Sequence, residues 1–549
     1  MTFRIDRRRA LLSSLAVAFA PPAFAADEAI ATTANGQLRG LRDRGVSSFL
    51  GIPYGGSLSG AARFKAPPPA QSWTGIRDAI RLGAPSIQPP HQTYGLNEPL
   101  PAEDCLVLNV WTPATDSARR PVMFYMHGGG FTTGSGGSVA QDGANLAREY
   151  DVVVVESNHR LGMLGYLYLG QLLGPEYVAN AGLLDLAAAL VWVNTNIAAF
   201  GGDPYNVTIL GESGGGAKSS ALYAMPSAAP YFHKASIESA LALGDNTPDR
   251  ATEQTKKVLA RLGIASSDAQ RILDVPVERL LEVQVGDAPN LGPGTVPPPG
   301  KHIRHPGFEF GPVIDGTVLP ERPFETHSPT ISAAKPLIIG GCKNETVFFF
   351  RLDKKAFSLD EAGLRARLAP TLRGDTDTVI ATFKRSRPEA SPSDLFIAIT
   401  TAVPWRAYAV HVAEQKAAEA KAPVYAYLLG YQSTSVVQGT DYRTGAMHAS
   451  DIELLFDNAQ LAPGQTPGLF NADQSAGRLM TAKHMSEMWA NFARDGKPSA
   501  KGQPEWRPYT PPERATMILD SECRLENDPE SAERAFWQRS GISGFEGHM

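Results

Sequence analysis

Short apolar runs that end in glycine-rich or polar turns recur along the chain. They begin at Pro121 (PVMFYM), Asp151 (DVVVV), Asn206 (NVTIL) and Lys335 (KPLII). Apolar runs of this length are typical of strands that are buried on both faces of a sheet. We therefore predict a buried strand at each of these four stretches.

Between these runs, apolar residues return at helical spacing. From Asn180 to Phe200 they recur every three or four positions, which is typical of the buried face of a helix. Further helical segments start near Pro248, Trp405 and Ala476. Because strands and helices alternate, the pattern predicts an α/β fold with a large, mostly parallel sheet covered by helices, with long loop and helical insertions.

The first 25 residues differ from the rest of the chain. Arg4 and the arginines at 7–9 precede an apolar stretch at 10–20, and Ala23-Phe24-Ala25 follows as a small-residue cleavage pattern. This order is typical of a signal peptide and predicts an exported protein, periplasmic or secreted. The arginines also fit a twin-arginine signal. An ordinary Sec signal and a retained N-terminal anchor are the alternatives.

The remaining residues, 26–549, have the composition of a soluble globular protein. The chain is 43% hydrophobic and 19% charged, which is enough apolar material for one large core. We predict a single domain over 26–549 with no integral membrane segment, since no later apolar run has an uninterrupted spanning length. Removing residues 1–25 takes away four arginines and one aspartate, so the formal net charge falls from -5 by three units to -8. This acidic balance argues against a nucleic-acid partner.

The cysteines and the possible metal ligands are sparse. Cys105, Cys342 and Cys523 lie far apart, and the histidines and acids show no close ligand spacing. We therefore predict no metal site and no dense disulfide framework. An odd number of cysteines leaves at least one thiol unpaired within the chain, and we interpret each cysteine as a small buried residue.

The stretch ILGESGGG places Ser213 in a GxSxG pattern at the end of a predicted strand. In a chain this rich in glycine, composition alone gives on the order of 0.3 such matches by chance, so the pattern needs context. The residues that follow can form a helix, and a sharp strand-to-helix turn exposes the side chain at its apex. A serine hydroxyl becomes a good nucleophile only with a base and an acidic partner.

A second glycine-rich turn, HGGGF at His127 to Phe131, follows the strand predicted at Pro121. Backbone N–H groups of consecutive glycines can point at a carbonyl oxygen that becomes negative. A tight turn without a chemical role is the alternative. An HGGG element upstream of a serine turn is the pairing found in lipases and esterases, so the two motifs together indicate ester hydrolysis.

Ordered sequence blocks extend over most of the chain. They are FLGIPYG from Phe49, RFKAPPP from Arg63, EDCLVLNVWTP from Glu103, HGGGF, NHRLGMLGY from Asn158, NAGLLDLAAALVWVNTNIAAFGGDPYNVTILGESGGG from Asn180 and MWANFARDGKP from Met488. In these blocks the chain resembles the type-B carboxylesterases, the α/β-hydrolases that include cholinesterases and bacterial para-nitrobenzyl esterases. The resemblance implies a serine hydrolase that needs no cofactor or metal and cleaves carboxylic esters to an acid and an alcohol through an acyl-serine intermediate.

The resemblance also implies the site residues. The nucleophile falls at Ser213, the acid at Glu345 in GGCKNET and the base at His448 in GAMHASD, an order that α/β-hydrolases share. Without the resemblance, several histidines after Ser213 remain open as the base. The other implied residues are the oxyanion-hole donors Gly129, Gly130 and Gly214, and Glu212 and Ser239 as supports of the histidine. For Glu212 and Ser239, a solvated acid and a satisfied hydroxyl are the alternatives.

Two positions depart from the pattern of the family. Gly214 stands where alanine is commoner, and because its N–H is kept we expect Gly214→Ala to retain activity. Ser86 stands where the family usually has the cysteine that pairs with the counterpart of Cys105. We therefore predict no disulfide at this loop. His127 is interpreted as shaping the glycine loop and His159 as structural.

The substrate is less defined than the reaction. The sequence predicts a small-molecule ester, but carbamates, amides and polyesters are attacked through the same acyl-serine chemistry. Acyl and alcohol size, stereoselectivity and oligomeric state stay open, because pocket walls come from loops outside the motifs. A non-catalytic binding protein of the same fold is the remaining alternative.

Overall fold

The computed structural model describes residues 27–89, 98–286, 308, 310–462, 465 and 468–544. The predicted signal peptide lies outside these residues, so export stays a prediction. Within the described part, the strands form one sheet of thirteen. Their bounds are β1 Asp27–Thr33, β2 Gly36–Asp43, β3 Val46–Pro53, β4 Ile76–Asp78, β5 Val107–Thr112, β6 Arg120–Tyr125, β7 Val153–Ser157, β8 Gly202–Glu212, β9 Lys234–Glu238, β10 Leu337–Cys342, β11 Val424–Leu429, β12 Ala515–Leu519 and β13 Arg524–Asn527.

The centre of the sheet is parallel. Strands β7, β6, β8, β9, β10, β11 and β12 are neighbours in that order and all run the same way. Strands β1, β2, β3 and β5 extend one side in antiparallel pairs, and β13 closes the other side. The predicted α/β class is confirmed, and the four predicted strands are β6, β7, β8 and β10. Strands β1 to β5 were not predicted. Of these, β1 and β2 are less apolar and more exposed than the central strands, and polar residues interrupt the apolar run of β5.

Fifteen α-helices lie within the described residues. They are α1 Ala144–Tyr150, α2 Gly162–Tyr166, α3 Gly170–Leu173, α4 Ala181–Asn196, α5 Gly214–Ala224, α6 Pro248–Arg261, α7 Val277–Val285, α8 Thr346–Phe350, α9 Glu361–Leu372, α10 Thr376–Ser386, α11 Pro392–Thr401, α12 Tyr408–Glu419, α13 Ile452–Leu455, α14 Ala476–Asp495 and α15 Ser531–Arg539. The helices predicted from Asn180, Pro248 and Ala476 are confirmed as α4, α6 and α14. The segment from Trp405 differs, because a π-helical turn at Ala402–Ala407 joins α11 to α12 and the helical stretch begins earlier.

Both faces of the sheet are covered. On β6, Val122 and Phe124 point into one core with α4 and α5, while Met123 and Tyr125 point into the opposite core with α14. This alternation follows from the two-residue period of a strand, and it explains why β6 is apolar at consecutive positions. A third cluster, formed by α9, α10, α11 and α15, also contains Val347. It therefore supports the segment that follows the end of β10.

Two helical stretches are long and apolar enough to cross a membrane by length and composition, Ala181–Phe200 and Pro392–Glu419. In each of them 61% of the most apolar window is buried inside the protein. Burial of this kind is what the core helices of an α/β sheet require. The absence of an integral membrane segment stays a prediction.

Cys105, Cys342 and Cys523 are free and buried. The thiol of Cys105 is hydrogen-bonded to Ser86, the residue that stands in place of a cysteine partner, and burial raises the pKa of this thiol to about 12. In the structure Cys105 thus faces Ser86, and the lack of a disulfide at this loop stays a prediction. All three thiols serve as small buried groups.

Candidate active site

Ser213 lies at the apex of a sharp turn between β8 and α5. Its backbone has φ 57° and ψ -120°, a region that a residue with a Cβ adopts at a cost of about 1–3 kcal/mol. The side chain is partly exposed, and the N–H of Ser213 donates to the Glu238 carbonyl at the end of β9 over 2.9 Å. The turn is thus held by the neighbouring strand while its side chain faces outward, as the GxSxG pattern predicts.

The glycines around Ser213 are required by close backbone packing. A Cβ at Gly211 would lie 2.5 Å from the carbonyl oxygen of Met126, and a Cβ at Gly215 would overlap the same oxygen. Met126 directly follows β6 and directly precedes the HGGGF loop. The two glycines therefore allow the serine turn to sit on the start of that loop.

Glu345 and His448 form a buried pair, Glu345 just after the end of β10 and His448 in the loop between β11 and α13. Their separation is 2.6 Å, between His448 Nδ1 and Glu345 Oε2, and both side chains are at most 5% exposed. The other carboxylate oxygen, Oε1, accepts from the backbone N–H of Cys342 at 2.7 Å and from the hydroxyl of Ser239 at 2.8 Å. Three donors therefore orient the Glu345 carboxylate.

Glu212, next to the serine, also reaches the histidine. Its Oε1 lies 3.3 Å from His448 Nδ1. Burial raises the pKa of Glu212 well above its ordinary value, and the charges of Asp451 and Glu345 raise this pKa further. A neutral Glu212 beside His448 avoids a second negative charge at this buried position. The structure thus brings both predicted supports, Glu212 and Ser239, to the Glu345–His448 pair.

The glycine loop lies beside the serine. Gly129 and Gly130 have φ values of 85° and 63°, and the Gly129 carbonyl accepts from Thr133 N–H at 3.1 Å. A Cβ at Gly128 would come within 3.5 Å of the Ser213 Cβ. A Cβ at Gly214 would overlap the backbone oxygen, nitrogen and Cα of Gly130. The three predicted donor glycines are therefore gathered around Ser213.

This packing contradicts the expectation that alanine at 214 is harmless. The atoms in the way are backbone atoms of Gly130, so they can yield only if the glycine loop moves. Alanine is common at this position in the family, but in this chain the backbone of the glycine loop occupies the volume that its methyl group would need.

The serine hydroxyl is not yet engaged by the histidine. Among the described residues, no hydrogen bond is made by the Ser213 hydroxyl, while His448 Nδ1 binds Glu345. Catalytic hydrogen bonds in unliganded sites are often long and tighten when substrate binds. The arrangement is therefore compatible with a nucleophile and a base that meet in the substrate complex.

Aromatic side chains border the histidine. The rings of Phe349, Trp405 and Phe348 lie 5.0, 5.7 and 5.9 Å from the His448 ring, centroid to centroid. Phe349 is 50% exposed and stacks on Trp405 at 5.4 Å. Such a wall offers apolar contact area to a substrate. Sequence patterns did not indicate it, since the two segments are distant in the chain.

Sequence patterns also missed the buried acids behind the site. Glu238 accepts from Trp489 Nε1 and from the Ser236 hydroxyl, both at 2.8 Å, and burial raises its pKa to about 8. Burial and the charge of Glu345 raise the pKa of Asp451 to about 6. The position of Glu238 directly before Ser239 is the one sequence clue to its location. Nothing in the pattern reveals that it is buried.

His127 and His159 stack on each other. Their ring centroids are 4.5 Å apart, and His127 Nδ1 lies 2.9 Å from the carbonyl of Gly128 in the loop. This agrees with His127 shaping the glycine loop. Burial lowers the pKa of His159 well below its ordinary value, so it is a neutral ring in the core. Groups of three or more residues suited to hold a metal ion do not occur in the described part of the chain.

We predict that Glu238→Gln stabilises the protein at alkaline pH. The folded pKa of about 8 exceeds the ordinary value of 4.5. The folded chain therefore binds more protons than the unfolded chain between these values, and the free energy of unfolding falls as pH rises through this window. A tenfold difference in proton affinity between the two states corresponds to about 1.4 kcal/mol. Glutamine keeps the acceptor for Trp489 without the charge, so the gain amounts to several kcal/mol above pH 8 and vanishes near pH 4.5.

The measurement is urea unfolding of wild type and variant from about pH 4.5 to about pH 8.5. Glu505→Gln, at an exposed position, makes the same charge change and is expected to follow wild type. Equal stabilities of Glu238→Gln and wild type at the alkaline end of this range would show that Glu238 is not held protonated.

Comparison with known proteins gives a consistent result. The carboxylesterase family model matches residues 27–537. The para-nitrobenzyl esterase of Bacillus subtilis is 33% identical over 515 residues, which cover 92% of this chain and 97% of that protein. The phenmedipham hydrolase of Pseudarthrobacter oxydans is 31% identical over 507 residues, 90% of this chain and 95% of that protein.

The fold agrees as well. A crystal structure of a Geobacillus stearothermophilus carboxylesterase superimposes with a TM-score of 0.77 at 34% identity, covering 93% of this chain and all of that one. The family match, the sequence relatives and the structural neighbour each cover nearly the whole described length of the chain. The chain therefore belongs to the carboxylesterase family, and it is a carboxylic ester hydrolase of the α/β-hydrolase fold.

Proposed function

We propose that Ser213, Glu345 and His448 are the catalytic triad that performs this hydrolysis. The observation that supports the assignment best is the buried contact of 2.6 Å between His448 Nδ1 and Glu345 Oε2. A carboxylate can only accept, so Nδ1 carries the proton and Nε2 is left as the base. His448 then takes the proton of Ser213 as the hydroxyl attacks the ester carbonyl.

The reaction proceeds in two steps. Attack by Ser213 forms a tetrahedral intermediate, whose collapse releases the alcohol with the proton returned by His448. Water, deprotonated by the same histidine, then attacks the acyl-serine and releases the carboxylic acid. Ser239 supports this cycle by holding Glu345, and the neutral carboxyl of Glu212 lies beside the imidazolium that forms.

The developing oxyanion is stabilised by the backbone N–H groups of Gly129, Gly130 and Gly214. The packing of Gly130 on Gly214 supports this assignment, since it gathers the donors beside Ser213. Loss of one such donor typically costs about 2.7–4 kcal/mol of transition-state stabilisation. The glycine loop therefore matters to turnover nearly as much as a side chain of the triad.

The substrate is proposed to be a small-molecule ester with an apolar group, in line with the aromatic wall beside His448. A carbamate is the second candidate, because carbamates are attacked through the same acyl-serine chemistry, and one of the relatives is named as a hydrolase of phenmedipham rather than of a simple ester. A panel of para-nitrophenyl esters and the matching aryl carbamates separates the two by their kcat/KM values. A non-catalytic binding role is tested by the same panel.

Export to the periplasm or beyond is proposed from residues 1–25, whose basic, apolar and small-residue order fits a signal peptide. Expressed in a bacterial host, the protein is expected in the periplasmic fraction with an intact mass that begins at Ala26. A full-length chain that stays in the cytoplasm would contradict the proposal.

We predict that a fluorophosphonate labels Ser213 alone. The activated hydroxyl forms one covalent adduct, which peptide mass spectrometry locates, and Ser213→Ala forms none. The variant loses turnover of a para-nitrophenyl ester by roughly 10⁴-fold or more. Glu345→Gln keeps the shape but not the charge of the acid, so it should label slowly and turn over poorly. An adduct at another residue, or full turnover by folded Ser213→Ala, would refute the triad.

We predict that Gly214→Ala lowers kcat. The added methyl group overlaps the Gly130 backbone and displaces the glycine loop. We therefore expect kcat to fall between about 10-fold and 1,000-fold, the upper limit being the effect of losing one oxyanion-hole donor. Gly244→Ala is the matched control, because nothing lies within 4 Å of a Cβ at that exposed glycine. Wild-type kcat in Gly214→Ala would mean that the loop is free to move aside.

A further inference from the structure

A buried lysine lies beneath the glycine loop. Lys218 is on α5, one helical turn after Gly214, and its side chain is 0% exposed. Its Nζ donates to the carbonyl oxygen of His127 at 2.9 Å. The same ammonium group lies 5.7 Å from the centroid of the Phe131 ring, within the range of a cation–π contact.

These two contacts fall at the two ends of the HGGGF loop. His127 begins the loop and Phe131 ends it, with only Gly128, Gly129 and Gly130 between them. Three consecutive glycines have more conformational freedom than any other tripeptide, so such a loop keeps one geometry only when its ends are fixed. The Phe131 carbonyl is held from the other side by Gly162 N–H at 2.7 Å. Lys218 supplies the contact from the side of the nucleophile helix.

Burying the Lys218 ammonium group at this position costs folding free energy. No acidic side chain of the described residues lies within ion-pair distance of Lys218 among the salt bridges of the structure, and burial lowers its pKa to about 7. An ammonium group buried against one carbonyl and one ring is less favourable than an apolar side chain of similar size. A stabilising role in the core therefore does not explain it, whereas a role in positioning the loop does.

We infer that Lys218 is a positioning residue for the oxyanion hole, which acts through the His127 carbonyl and the Phe131 ring to hold Gly129 and Gly130 beside Ser213. The inference rests on the proposed function of this loop. It links the helix that carries the nucleophile to the loop that carries the donors, so that the two move as one unit. Lys218 acts through these loop contacts and is not itself a catalytic residue.

The test is Lys218→Met in the mature chain, since methionine has a similar length, no branching and no N–H donor. A partly displaced oxyanion hole weakens the transition state more than the bound ester, so kcat is expected to fall about 10-fold to 100-fold while KM changes little. The midpoint of thermal unfolding is expected to stay equal or to rise. Lys218→Leu is measured in parallel, so that the result does not depend on one replacement folding.

Ser219→Ala is the matched control. Ser219 is the next residue on α5, fully buried, and its hydroxyl has no hydrogen-bond partner among the described residues. Removal of this hydroxyl perturbs the same helix and leaves the contacts of the loop in place, so kcat is expected to stay at the wild-type value. Binding of a trifluoromethyl ketone, which forms an oxyanion on Ser213, gives a second readout and should weaken by the same factor as kcat in Lys218→Met.

Unchanged kcat and unchanged ketone affinity in a folded lysine variant would overturn the inference. A fall in kcat that comes with a lower unfolding midpoint, and that Ser219→Ala shows as well, would also overturn the inference. Such a result would indicate a general packing defect of the helix. Fluorophosphonate labelling of the wild type distinguishes a failure of the proposed function from a failure of the role assigned to Lys218. If Ser213 is not labelled, the proposed function itself fails. If it is labelled and the lysine variants behave as wild type, only the role of Lys218 fails.

Discussion

The backbone contact between the serine turn and the end of β6 is the constraint on which the site depends. Gly211 and Gly215 have no side chains, so the turn between β8 and α5 rests directly on the Met126 carbonyl. That contact fixes the distance between the nucleophile on one strand and the glycine loop on the next. With a Cβ at either glycine, the two strand ends would have to separate and the site would open.

Hydrogen bonding then distinguishes the buried acids around the histidine. Glu345 receives three hydrogen bonds, from Cys342 N–H, Ser239 and His448, and these donors compensate its burial. The Glu212 oxygens accept no hydrogen bond from the described residues and Glu238 accepts two through one oxygen, and burial raises the pKa of both acids. The neighbourhood thus contains several carboxyl groups but presents one well-compensated carboxylate to the histidine, which is what a base oriented through Nδ1 requires.

The parallel core of the fold could be predicted, because strands buried on both faces leave continuous apolar runs such as the one ending in Met126. Strands β1 to β4 could not, since exposed or partly exposed positions interrupt their apolar pattern. Strand β5 is almost fully buried, but the polar residues Asn109 and Thr112 interrupt its apolar run. Ser213 and the glycine loop carry local motifs. Glu345 and His448 do not, because an acid and a histidine can be recognised as a pair only when the segments after β10 and β11 bring them together across 103 residues. Lys218 was missed for a similar reason, as a lysine on a helix normally reaches solvent.

The antiparallel strands also show how tertiary context replaces local propensity. β1 alternates buried and exposed positions along most of its length, yet its pairing with β2 over seven residues places it in the same continuous sheet. The wall of aromatic rings near His448 likewise arises from two segments, α8 and the π-helical turn at Ala402–Ala407, which meet only in the folded chain.

The side chains proposed for catalysis lie in the segments that follow β8, β10 and β11, and the chain makes long excursions between these strands. Strands β9 and β10 are hydrogen-bonded neighbours, although α6 and α7 intervene in the sequence, and α8 to α12 separate β10 from β11. These excursions differ in their relation to the sheet. Helix α12 packs into the core with the sheet, whereas Phe349 of α8 is half exposed and lies beside His448 together with Trp405. Changes at Phe349 and Trp405 would therefore alter the surface that an ester meets without touching the core, so substrate range can diverge at these positions.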